Sequence, residues 1–137
     1  MDPSGPVIVA PPEATMAQIA SLLASNRVGA VPICLPDNTL LGIVSEADIL
    51  KPFREAVRKR HDPPEGDVLE YLRTDQRRAK DVMVQHVIVA EEDMELPQLA
   101  DLMIRHGLKC MPVVQDGKVI GIVSRSDLIA TIAQQVT

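Results

Sequence analysis

The chain runs through the same series of hydrophobic rhythms twice. Each run begins with a short β-branched stretch, Val7 to Val9 and later Val87 to Val89, which predicts a strand. Apolar residues at helical spacing follow: Met16, Ile19, Ala20, Leu22 and Leu23 in the first run, Leu96, Leu99, Leu102 and Met103 in the second. Two more strands come next. Ala30 to Cys34 and Leu40 to Val44 flank a Pro-Asp-Asn turn, while Cys110 to Val114 and Val119 to Val123 flank Asp116-Gly117, a good hairpin signal. A second helix starts at Ser45 in one run and at Ser124 in the other. The predicted order is β-α-β-β-α, twice.

The two runs also match residue by residue. At an offset of 80, Val7-Ile8-Val9-Ala10 pairs with Val87-Ile88-Val89-Ala90, and Gln18, Ala20, Leu22 and Pro32 pair with Gln98, Ala100, Leu102 and Pro112. A one-residue difference in the turn shifts the offset to 79, after which Gly42-Ile43-Val44-Ser45 matches Gly121-Ile122-Val123-Ser124 and Asp48 matches Asp127. These are internal repeats. One unit has too few elements to cover both faces of its small sheet. The expected fold is therefore α+β, with two β-α-β-β-α units packed as a pseudo-two-fold pair. Repeat one spans residues 1–50, a helical insert 51–80, and repeat two 81–137.

Composition narrows the picture. With 137 residues, 46% hydrophobic and 24% charged, the chain is too apolar to be disordered and about the size of one domain of roughly 100–200 residues. No apolar run approaches the roughly 18 residues that cross a bilayer, and Met1 to Pro6 has neither the basic start nor the apolar core of a signal peptide. A soluble, cytoplasmic protein with no membrane partner is expected. Cys34 and Cys110 lie in apolar stretches and read as buried free thiols, not as a disulfide or metal pair. Phe53 and Tyr71 are the only aromatic residues, which argues against stacking on single-stranded nucleic acid or carbohydrate.

The insert has its own chemistry. It holds nine of the fourteen Lys and Arg residues against six acids, a net +3 that leaves −8 for the rest of a chain whose total is −5. Asp62 to Gly66 divides it into a basic helical piece and a second helix, Asp67 to about Asp75, and Pro52 is expected to cut or kink the helix that begins at Ser45. It reads first as a solvated helical linker whose charges partly pair with one another. A basic surface for nucleic acid or an acidic partner is the alternative.

Few residues carry the pattern of a reactive site. His61, His86 and His106 are scattered without carboxylates or thiols at metal-ligand spacing, and no nucleophile elbow, Walker loop or GxGxxG is present. No enzymatic activity is expected. What stands out is a duplicated Gly-h-h-Ser-x-x-Asp, Gly42 to Asp48 and Gly121 to Asp127. A serine with an acid three residues on is close to a capping box, which stabilises a helix start without any ligand. The same geometry offers unpaired N–H groups and a positive dipole end to a phosphate, and a carboxylate there can accept bonds from both hydroxyls of a ribose. Arg27, His106 and Arg125 are the candidate positive neighbours for such a phosphate.

Asn26-Arg27-Val28-Gly29-Ala30-Val31-Pro32-Ile33 and the two Gly-h-h-Ser-x-x-Asp segments resemble a tandem pair of CBS domains, a Bateman module. Asp81-Val82-Met83 is similar to the family's usual domain opening. The wording Val44 to Leu50, the basic insert and Tyr71 to Met83 are similar to bacterial CBS pairs that often carry a C-terminal BON domain, and no such domain is read in these 137 residues. The resemblance implies a regulatory module that binds AMP, ADP, ATP or S-adenosylmethionine, sometimes NAD-type molecules, in clefts between the units, and a homodimer shaped as a flat disc. It needs no cofactor.

Carried over by residue, the resemblance implies Ser45, Asp48 and Arg27 as ligand contacts in repeat one, and Ser124, Asp127 and His106 in repeat two. Adenine would lie against Ile8 and Ala30, or against Ile88 and Cys110. Two departures imply unequal sites: repeat one lacks an opening segment like Asp81-Val82-Met83, and repeat two has Gly107 where repeat one has Arg27. The leading expectation is a nucleotide sensor that acts on an effector protein. The rival is an interaction scaffold with empty sites whose basic insert contacts protein or nucleic acid, although a nucleic-acid partner is not expected.

Overall fold

The computed structural model describes residues 7–58 and 75–136. In chain order it contains α1 (Met16–Asn26), β1 (Ala30–Cys34), β2 (Leu40–Ser45), α2 (Glu46–Arg58), α3 (Ala79–Val82), β3 (Ala90–Glu91), α4 (Leu96–His106), β4 (Cys110–Gln115), β5 (Lys118–Ser124) and α5 (Arg125–Val136). The expected helix over 67–75 lies outside the described residues, except for Asp75.

Helical spacing becomes burial in the two long helices that precede the hairpins. Met16, Ile19 and Leu23 form the buried stripe of α1, and Leu99 and Met103 that of α4. The N-terminus of α1 is closed by Thr15 and Gln18: the Thr15 hydroxyl accepts from the Gln18 N–H, and the Gln18 amide oxygen accepts from the Thr15 N–H. Both helices end on a left-handed residue, Arg27 (φ 52°) after α1 and Gly107 (φ 64°) after α4.

β1 pairs antiparallel with β2, and β4 pairs antiparallel with β5, each with a register irregularity at the matching point, Ile33/Cys34 and Val113/Val114. The turn between β4 and β5 places both Asp116 and Gly117 at positive φ, as a type I′ hairpin requires. β3 adds a short parallel strand beside β4.

Three sequence expectations change. The strands expected at Val7 to Val9 and Val87 to Val89 pair later, at Ala10 alone, through Ile33, and at Ala90–Glu91. Pro11 has no N–H to continue a ladder after Ala10. Pro52 does not end α2, which runs on to Arg58; Ile49, in the turn before it, packs against the repeat-one core and anchors the helix there. Third, repeat one does not lack an opening segment. The segment that precedes repeat two lies on repeat one: the Ala79 N–H donates to the Ala14 carbonyl, Ala79 belongs to the repeat-one core, and Ile43 and Val84 exchange both backbone bonds at 3.0 and 2.9 Å.

The core is split between the units. Met16, Ile19, Leu23, Val31, Ile33 and Val44 form one cluster, and Leu99, Met103, Met111, Val113, Val123 and Leu128 the other. The hairpin tips join them. The Leu40 N–H donates to the Gly117 carbonyl at 3.1 Å, and the Val119 N–H donates to the Asn38 carbonyl at 2.9 Å. Because Leu40 matches Val119 and Asn38 matches Gly117, this reciprocal pair expresses the pseudo-two-fold relation in hydrogen bonds.

Candidate functional site

A cavity of about 530 Å³ opens between the repeats, within the size range of small-ligand clefts. Repeat one supplies Gly29, Ala30 and Ile43, together with the first turn of α2 through Ser45, Glu46 and Asp48. Val84 lies beside Ile43, and the lining is completed by His86, Val87 and Ile88 and by Leu108, Lys109 and Cys110, between α4 and the start of β4.

Asp48 is held by its own helix start. The Ser45 N–H and the Ser45 hydroxyl both donate to Asp48 Oδ2, at 2.8 and 3.1 Å. Asp48 lines the cavity, and among the described residues no donor reaches its other carboxylate oxygen, Oδ1. In repeat two the arrangement is a reciprocal capping box: the Ser124 N–H donates to Asp127 Oδ2 at 2.8 Å, and the Asp127 N–H donates to Ser124 Oγ at 3.1 Å. The cap and a ligand contact are thus compatible uses of one motif.

Of the residues singled out in the sequence, Ala30, Ser45, Asp48, Ile88 and Cys110 come together in this one cavity. They come from both repeats, so the apolar lining of the Asp48 cleft is shared between the two copies. Ile8, Arg27, His106, Ser124, Arg125 and Asp127 do not line it. Arg27 is the exposed residue that ends α1, and His106 is the exposed last residue of α4. Arg125, considered as a phosphate contact, is engaged elsewhere: its Nε donates to the Leu108 carbonyl at 2.6 Å and Nη2 to the Met103 carbonyl at 3.5 Å, closing the carbonyl end of α4. Sequence reasoning missed Lys109, His86 and Glu46. A signal for Lys109 was present, because it stands opposite Gly29 in the repeat alignment and next to Cys110.

Both cysteines are free. Burial pushes the Cys110 thiol up from its ordinary value; the Gly29 N–H works against that shift, and the nearby Glu46 carboxylate adds to it. Cys34, fully enclosed in β1, is pushed up to about 11 by burial and by the charge of Asp37. Asp37 itself is held below the usual carboxylate range by hydrogen bonds from Thr39 in the turn. Among the described residues no cluster of His, Cys, Asp and Glu could hold a metal, and no helix is long and apolar enough to cross a membrane.

Residues 1–55 and 79–134 match the CBS domain family. An uncharacterized protein of Methanocaldococcus jannaschii is 34% identical, over 81% of this chain and 77% of its own length. The chain spans 56% and 34% of the lengths of two further curated relatives. Among solved structures, CBSX2 in complex with AMP superposes with a TM-score of 0.75 at 24% identity, covering 96% of this chain and 90% of that one. The CBS domain pair of protein MJ0100, in complex with 5-methylthioadenosine and S-adenosyl-L-methionine, gives 0.72 at 23% identity, covering 96% and 92%.

Proposed function

The chain belongs to the CBS-domain family as a tandem pair of CBS domains, and from that premise we propose that it is a regulatory module that binds an adenine nucleotide in the cleft between its repeats. The observation that carries this reading is the convergence of Asp48 from repeat one with Ile88 and Cys110 from repeat two on one cavity of about 530 Å³. Asp48 Oδ1 accepts from the ribose hydroxyls, the adenine lies against Ala30, Ile88 and Cys110, and the start of α2 receives the phosphate. The AMP in one structural neighbour and the S-adenosyl-L-methionine in another support a ligand of the adenosine class. Ser124 and Asp127 serve as a helix cap, and the ligand goes to the Asp48 cleft.

The module regulates and does not catalyse. Ligand binding favours one of two arrangements of the pair, by the difference in its affinity for them. Exposed Ile129, Ile132 and Val136, at helical spacing on α5, offer an apolar face for a homodimer through which an effector senses that change. The free thiols at Cys34 and Cys110 fit a reducing compartment, the cytoplasm.

Thermal unfolding against AMP, ADP, ATP, S-adenosylmethionine and NADH tests the reading. A ligand at a hundred times its dissociation constant stabilises the fold by about 2.7 kcal/mol. The expected result is a rise in Tm with an adenosine compound that Asp48→Ala abolishes and Asp127→Ala retains. No rise with any of them, in folded protein, would leave both Ser-x-x-Asp motifs as plain caps and favour the scaffold.

A further inference from the structure

Repeat one carries a docked segment, and repeat two has the same receiving surface without one among the described residues. On repeat one the Ala79 and Lys80 N–H groups donate to the Ala14 and Pro12 carbonyls at 2.8 and 3.0 Å, Lys80 Nζ pairs with Glu13 at 2.9 Å, Met83 lies over Gly42, and Val84 closes both bonds with Ile43. The matching surface on repeat two is Glu92, Asp93 and Met94 in the turn before α4, with Gly121 and Ile122 on β5. Its geometry is the same. The Met94 N–H donates to the Glu91 carbonyl at 3.0 Å as the Ala14 N–H does to Pro11 at 3.1 Å, and Ile122 stands opposite Pro112 as Ile43 stands opposite Pro32. The Ile122 N–H and carbonyl therefore point away from β4, and among the described residues nothing bonds to them or to the Glu92 and Met94 carbonyls. A bare strand edge with open space above Gly121 can receive a further strand.

Charge indicates what kind of strand. The segment docked on repeat one brings Arg78 and Lys80 to a turn that reads Pro11-Pro12-Glu13-Ala14-Thr15. The matching turn of repeat two reads Glu91-Glu92-Asp93-Met94-Glu95, and none of its four acids has a cation at ion-pair distance among the described residues. Ahead of repeat one, Asp2, Pro3 and Ser4 stand where Val82, Met83 and Val84 stand ahead of repeat two, and they lack those apolar side chains. We propose that this face of repeat two is a docking site for an extended segment of a partner protein, first basic and then apolar, which adds to the free edge of β5 as Ala79 to Val84 adds to β2. The acidic turn takes the basic end, and the space over Gly121 takes a flexible apolar side chain such as methionine. The site is separate from the Asp48 cleft and acts with or without a nucleotide there.

A synthetic peptide with the sequence of residues 75–86, which fits the same surface on repeat one, is the probe. Titrated into the isotope-labelled full chain, it should bind saturably and more weakly as salt rises, with amide shifts at Gly121, Ile122 and Glu92 to Met94. Gly121→Val puts a side chain where Met83 sits in the other repeat and should weaken binding about tenfold or more, as should the double change Glu92→Lys and Asp93→Lys. A peptide with glutamate at the positions of Arg78 and Lys80 should lose as much. No binding, equal affinity in Gly121→Val, or shifts confined to Gly42 and Ile43, where the peptide would merely displace its own counterpart, would overturn the proposal. Binding only after deletion of residues 2–6 would assign the edge to the chain's own start, and a dimer that Gly121→Val dissociates would assign it to a second copy; either result overturns a partner segment.

Discussion

Gly42 and Gly121 hold the same place in the two repeats and meet opposite surroundings. A Cβ added to Gly42 would stand 2.7 Å from Met83 Sδ and 2.8 Å from the Val84 carbonyl, whereas one added to Gly121 would meet nothing within 4 Å. The segment from Ala79 to Val84 covers β2 in repeat one, and the described residues place no counterpart on β5 in repeat two. Duplicated sequence therefore does not mean duplicated environment. Repeat one is completed by neighbouring chain as well as by its own residues, and the matching glycines meet different surroundings where that neighbouring chain differs.

Substitution at these two glycines is the strongest way to break the comparison. Gly42→Ala should cost about 1–3 kcal/mol, because the methyl group displaces Met83 and the backbone of Val84. Gly121→Ala should stay within about 0.5 kcal/mol. Urea midpoints at unchanged m-value measure both, and similar losses at the two sites would contradict the difference in cover.

The helix ends sharpen the contrast at smaller amplitude. Gly107 follows α4 with φ 64°, and Arg27 follows α1 with φ 52°. A side chain in that region costs about 1–2 kcal/mol, so Gly107→Ala should lower stability by about that much and Arg27→Gly should raise it, less the entropy that glycine loses on folding. Arg125→Ala, which removes the donors to the Leu108 and Met103 carbonyls, should cost roughly 1 kcal/mol. Glu46→Ala, at the matching position of repeat one, has no such bonds to lose and should leave the unliganded stability nearly unchanged. Denaturation curves on the four variants order these effects.

The thiols give the smallest and most local signal. The thiolate is the reacting species, and burial holds both thiols above their ordinary range. Alkylation at pH 8 should therefore be slower at Cys110 than at a free cysteine, slower still at Cys34, and faster at both as pH rises. A bound nucleotide should protect Cys110, which lines the cleft, and leave Cys34 unaffected. Equal rates at the two cysteines, read by mass spectrometry, would contradict their different enclosure.

Much of the fold is legible because its signals are local. The short apolar run Ala30 to Cys34 and the Asp116-Gly117 turn signal strands and a hairpin locally, and the apolar spacing of Met16, Ile19 and Leu23 specifies the buried face of α1. The cleft was legible only in part. Ser45 and Asp48 carry a motif, but their facing wall is assigned by packing across the pseudo-two-fold, which alignment of one copy on the other does not encode. Arg125 illustrates the same limit. Its proximity in sequence to Ser124 suggests an anion contact, whereas the carbonyls that it bonds lie in the last turn of a helix about twenty residues earlier and just past its end.

The reciprocal bonds between Leu40 and Gly117 and between Val119 and Asn38 fasten the repeats at their hairpin tips, at the matching point of each. Such a clasp limits how the proposed ligand can act. If binding in the cleft spreads the repeats, the clasped tips are the part that should move least, which leaves chain outside those bonds to carry the change outward.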